Sequence, residues 1–100
     1  MDIARTLGLP ALKIAVVEGD DVLHAFQDPP LRLMENHQSV SSLGAPLISA
    51  TAYLGADPIV QALAAGAQIV VTGRVADPAL FLAPLIHEFG WSATDWDRLG

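Results

Sequence analysis

Gln68-Ile69-Val70-Val71-Thr72-Gly73-Arg74-Val75-Ala76-Asp77-Pro78 is the stretch that decides the fold. A short β-branched run has the length and composition of a buried strand. It breaks at Gly73 and passes through a lone arginine into Asp77-Pro78. Aspartate is a favoured helix N-cap, and proline fits the first helical position, where its missing N–H costs nothing. The stretch therefore reads as strand, turn and helix start.

The same grammar recurs upstream. Ala56-Asp57-Pro58 stands 20 residues before Ala76-Asp77-Pro78, again between a strand-like run and a helical pattern. Two copies do not make a solenoid; one βα-turn solution used twice is enough. Asp57-Pro58 is expected to cap a helix running through Ala65 with Gly66 as the stop, and Asp77-Pro78 to open a helix over residues 79–89, ended by Gly90. Apolar residues cover nearly every face of the second helix, so burial on more than one side is expected, with a kink or break at Pro84. Leu12-Lys13-Ile14-Ala15-Val16-Val17 reads as another buried strand, and residues 47–53 alternate well enough for a third. Residues 2–7 resemble the tail of a helix stopped by Gly8 with Pro10 beyond it. A helical turn is expected over 22–26, before Pro29-Pro30, and one around Leu31, Leu33 and Met34, with a loop over 39–44. Ser92-Ala93-Thr94-Asp95 resembles a capping box that opens a last helix. The alternation predicts an α/β domain with a mostly parallel sheet of three strands and flanking helices, its strand C-termini along one edge. Residues 1–100 read as a single, partial domain, a fragment of a larger α/β unit.

Composition supports that expectation. Apolar residues make up 52 % and charged residues 16 % of the chain, against about 25 % charged in an average soluble domain. A small domain has proportionally more surface to cover with polar groups, so this excess predicts either oligomer formation or burial against the remainder of a longer chain. A net charge of −6 with five scattered basic residues argues against a nucleic-acid partner. The absence of cysteine removes disulfides, thiolate chemistry and Cys-type zinc sites. Residues 58–73 are uncharged but fall short of the ~20 apolar residues that span a bilayer. No membrane partner is expected, and a cytoplasmic location is the default.

Three polar clusters fall at the expected strand ends: Glu18, Asp20 and Asp21; Ser49, Thr51 and Tyr53; Thr72, Arg74 and Asp77. Thr72, Gly73, Arg74 and Asp77 form a candidate anion-binding corner, where an arginine fork meets the positive end of a helix. The plainer alternatives are an ion pair for Arg74 and a simple cap for Asp77. Glu18, Asp20 and Asp21 are candidates to hold a divalent cation such as Mg²⁺, or a ligand hydroxyl; either aspartate equally suits capping of the next turn. Tyr53 is a candidate substrate contact or an ordinary core-edge tyrosine. His24, His37 and His87 are too scattered for a local metal set, though His37 is a candidate acid or base in the long loop. Neither a G-x-G-x-x-G fingerprint nor a P-loop is present.

Ala52-Tyr53-Leu54-Gly55-Ala56, the run from Ile69 to Leu80 with its T-G-R-V-A-D-P core, and Pro84-Leu85-Ile86-His87-Glu88-Phe89-Gly90-Trp91 resemble the acyclic terpene utilisation (AtuA-like) family. Val16-Val17-Glu18-Gly19-Asp20-Asp21 is similar to that family's earlier strand and acidic turn. The resemblance covers most of the chain from Leu12 onward and is weakest over residues 27–46. It implies a parent of several hundred residues, and a role beside enzymes that carboxylate and degrade acyl-CoA derivatives of branched terpenoids such as citronellol and geraniol. It implies no particular catalytic residue. The reading that follows is a protein of acyclic terpenoid catabolism acting on an acyl-CoA-like anion. The alternative is a non-catalytic assembly module of an acyl-CoA-degrading complex.

Overall fold

The computed structural model describes residues 2–9, 11–26, 31–44 and 46–100. Pro10 and Pro29-Pro30, expected to punctuate the chain, lie outside the described residues. Two strands, β1 (Ile14–Val17) and β2 (Ile69–Thr72), pair in parallel with Ile14 opposite Ile69 and Val17 opposite Thr72. Their C-terminal ends therefore share one edge, as the βα alternation requires. Gln68 pins the opposite edge: its backbone N–H donates to the Lys13 carbonyl (2.8 Å), while its side-chain oxygen accepts the Lys13 N–H (3.2 Å).

The described residues also form four α-helices: α1 (Asp2–Thr6), α2 (Asp57–Ala64), α3 (Ala79–Phe89) and α4 (Trp96–Leu99). The Gly66 stop after α2 forms as expected. With φ at 83°, Gly66 donates to the Leu63 carbonyl (2.8 Å) and Ala67 donates to that of Ala62 (3.1 Å), closing a Schellman motif. Gly90 ends α3 in the same left-handed region.

The helix caps differ from expectation. Asp77 does not cap α3: the chain first makes a tight turn, with Ala79 N–H donating to the Ala76 carbonyl (2.8 Å), and Pro78 takes the N-cap position. Asp57 is already helical, with Ala56 before it, and neither aspartate makes a side-chain capping bond. At the last helix, Ser92 spends its hydroxyl on the Thr94 N–H (3.2 Å), and Asp95 is the N-cap of α4 instead. α3 runs unbroken through Pro84, whose ring removes only the bond back to Leu80.

The third strand does not form. Residues 47–53 are extended, and burial does alternate from Thr51 to Ala56. Yet the segment crosses the end of the sheet instead of lying alongside it. On one side Val22 N–H donates to Ala50 and Ala52 N–H to Asp20; on the other Leu54 N–H donates to Arg74 and Ala76 N–H to Leu54. Split between two neighbours, it makes single bridges, Asp21 to Thr51 and Leu54 to Val75, and no ladder. Alternation reports an extended backbone between two environments, not strand pairing as such.

The long connection is also more ordered than a plain loop. The helical turn expected over 22–26 appears as a 3₁₀ turn (Leu23–Phe26). The turn around Leu31, Leu33 and Met34 instead leads into a narrow reversal closed by Arg32 and Ser39, with Arg32 Nη1 donating to the His37 carbonyl (3.0 Å). Ser39 then caps a second 3₁₀ turn (Val40–Leu43), where a loop was expected. Asn36 and Ser39 accept local backbone N–H bonds, which organises the segment without an apolar core.

The core is small. Val17, Ile59, Val75, Ala79 and Ala83 are buried, with Leu54, Val60, Leu63 and Val70 packed against them. Ala79 and Ala83, one turn apart on α3, let that helix lie close to α2. The other faces of α3 are not covered: Phe81 is 77 % exposed and Phe89 63 %. Burial on several sides, and burial of both sheet faces, are thus not seen. α2 packs against one face of the sheet and α3 packs on α2, while Ile14, Val16, Ile69 and Val71 face outward on the other.

Candidate functional site

Parallel pairing brings the ends of β1 and β2 together, and the crossing segment wedges across them. An open cleft of about 400 Å³ results, lined by Asp20, Thr51, Thr72, Gly73, Arg74, Val75 and Leu80. Each polar cluster reaches it: the first through Asp20, the second through Thr51, and the third through Thr72 and Arg74. Leu80 brings the first turn of α3 to its wall.

Asp20 is the hub of this junction. Its Oδ2 accepts the Arg74 N–H at 2.7 Å, a short bond strengthened by the carboxylate charge. Its backbone carbonyl accepts the Ala52 N–H, also at 2.7 Å. Gly73 donates its own N–H to the Val17 carbonyl (3.0 Å). A Cβ at Gly73 would collide with the Asp20 carboxylate, so glycine is needed for close approach and not for an unusual φ.

Arg74 spends its backbone on this junction and keeps its side chain free. Its Cζ lies 5.4 Å from the Tyr53 ring centroid, within the ~6 Å of a cation–π contact. The ion pair expected as the plainer fate of Arg74 is not made: among the described residues the ion pair is Arg98 with Asp95, on the exposed side of α4. Asp77 is exposed and outside the cleft lining.

The acidic turn divides its work. Asp21 Oδ1 accepts the Leu23 N–H (3.1 Å) and starts the 3₁₀ turn there, while Glu18 is exposed and outside the cleft lining. Among the described residues no group of three or more His, Cys, Asp and Glu side chains has the arrangement to hold a metal ion. His24, His37 and His87 lie on a 3₁₀ turn, a left-handed turn position and the last turn of α3 respectively, and none lines the cleft. The cleft's apolar wall, Val75 and Leu80, escaped the sequence reading; the tight turn before α3 brings it there. A second, more apolar cleft of about 610 Å³ lies between the start of α2, α3 and α4, lined by Leu82, Ile86, Trp96 and Leu99 among others, away from these polar groups.

A two-stranded parallel sheet flanked by helices, with a polar cleft at its strand ends, is an α/β arrangement, and open α/β sheets keep their ligands at the carboxyl edge. The chain matches the family model described as acyclic terpene utilisation family protein AtuA over residues 1–100, and it belongs to that family. No curated protein and no solved structure matches it. Among the described residues no helix is long and apolar enough to cross a membrane.

Proposed function

We propose that the strand-end cleft binds the anionic part of an acyl-CoA-like metabolite in the breakdown of acyclic terpenoids. The observation that carries this reading is the Arg74 guanidinium: it borders the cleft, has no carboxylate partner among the described residues, and rests on an aromatic ring. A planar fork of N–H donors suits a carboxylate or phosphate held by two bonds. The Thr51 and Thr72 hydroxyls supply further donors, and the start of α3 adds a favourable dipole. Asp20 commits Oδ2 to the Arg74 amide, which leaves acceptor capacity for a ligand hydroxyl. Family membership supplies the metabolic setting. The test is Arg74→Ala in the full-length protein: the rise in melting temperature produced by acyl-CoA ligands should disappear. An unchanged rise would remove this role.

The exposed aromatic side chains of α3 favour a second reading, an assembly module that packs on another subunit of an acyl-CoA-degrading complex. A full-length protein that is monomeric and catalytically competent would count against it.

A further inference from the structure

We propose that Tyr53 is the positioning residue of the cleft: its ring holds the Arg74 guanidinium in place while leaving the N–H edges free for a ligand. The inference rests on the anion-site reading above and assigns a device within it.

An arginine side chain loses rotamer freedom when it is fixed, so an unrestrained Arg74 would bind an anion only after ordering itself. The Asp20 carboxylate lies in the same cleft and is the obvious competitor for the guanidinium. The two groups make no ion pair in the structure. Oδ2 of Asp20 is committed to the Arg74 backbone N–H, and the guanidinium is turned onto Tyr53, 5.4 Å from the ring centroid. The two partners are held in register by the backbone, because Leu54, next to Tyr53, donates its N–H to the Arg74 carbonyl (3.2 Å). A guanidinium over a ring face is held through its charge and need not spend its N–H donors on the ring. Tyr53 is itself 67 % exposed and outside the cleft lining, so its hydroxyl is not what the site uses.

Calorimetric titration of the full-length protein with coenzyme A, and separately with inorganic phosphate, tests this. Tyr53→Phe keeps the ring and should bind like the wild type. Tyr53→Leu should bind about 3-fold or more weakly, the scale of an exposed cation–π contact, with the ligand-free melting temperature unchanged. Tyr53→Gln serves if the leucine variant unfolds. The Arg74 Nε–H resonance should carry a ring-current shift in the wild type and Tyr53→Phe and lose it in the other variants. Arg74-dependent binding that is indifferent to Tyr53→Leu would overturn the positioning role and spare the site. An equal loss in Tyr53→Phe would make Tyr53 a hydroxyl contact instead. Failure of the wild type to bind either probe, or binding unaffected by Arg74→Ala, would sink the site and the positioning role together.

Discussion

A methyl group added at Gly73 would meet the Asp20 carboxylate, and that carboxylate cannot retreat without releasing the Arg74 N–H it holds at 2.7 Å. Gly73→Ala should therefore destabilise the fold by about 1–3 kcal/mol, the range of a forced overpacking. Asp20→Ala should also destabilise, by roughly 1 kcal/mol, because it removes the charge-assisted hydrogen bond to the Arg74 amide. The two costs are not independent, since the first arises from contact with the second side chain. In urea unfolding the double variant should be more stable than the sum of the single losses predicts. Strict additivity would mean that Asp20 does not occupy the space beside Gly73. The sequence had offered Asp20 as a cation or hydroxyl ligand, with capping as the plainer alternative. What it does in the fold is related to capping, but across 54 residues of sequence. A partner at that range leaves no spacing signature. Gly73 alone hinted at it, as a glycine directly after a strand.

Secondary elements with local causes were legible and those with remote causes were not. β1 and β2 follow from short β-branched runs, and the ends of α2 and α3 from Gly66 and Gly90. The bounds of α3 were read correctly as Ala79–Phe89 but its cap was not: Asp77-Pro78 satisfies the cap pattern, while the chain makes a tight turn that buries Val75 and Ala79. The residues 47–53 looked like a strand because extension and alternation are local, whereas the partner that would make a ladder is not. Two element-scale predictions follow from the parts that are local. Gly66→Ala places a Cβ at φ 83° and should cost about 1–2 kcal/mol in denaturant unfolding. Pro84→Ala restores an N–H inside α3 at an exposed position and should stabilise by about 1–3 kcal/mol. A destabilised Pro84→Ala protein would show that the proline ring packs against something that covers this helix.

At the scale of the molecule, the radius of gyration is 18.1 Å, against about 13 Å for a compact 100-residue domain. The accessible surface is 7822 Å², whereas a monomer of this mass should expose only about 5,400 Å². The excess, about 2,400 Å², is of the order an obligate interface removes. Part of it can be located. Ile14 pairs with Ile69 and Val16 with Val71, so four β-branched side chains form one continuous stripe, with Val16 64 % and Val71 52 % exposed. Parallel sheets are stable when both faces are covered, and here α2, with α3 packed on it, covers one. The five buried side chains of the core are a slender basis for independent stability. The 100-residue chain expressed alone should consequently bind a hydrophobic dye and associate in a concentration-dependent manner. Val16→Glu with Val71→Lys should suppress both in the isolated chain, because neither side chain belongs to the core shared with α2 and α3. In a longer protein that covers the stripe, the same pair should instead be strongly destabilising. Sedimentation of the short chain and denaturant unfolding of the long one measure the two outcomes. If the pair of charges is harmless in the full-length protein, the stripe is a true outer surface and the apolar excess of the sequence must be explained elsewhere.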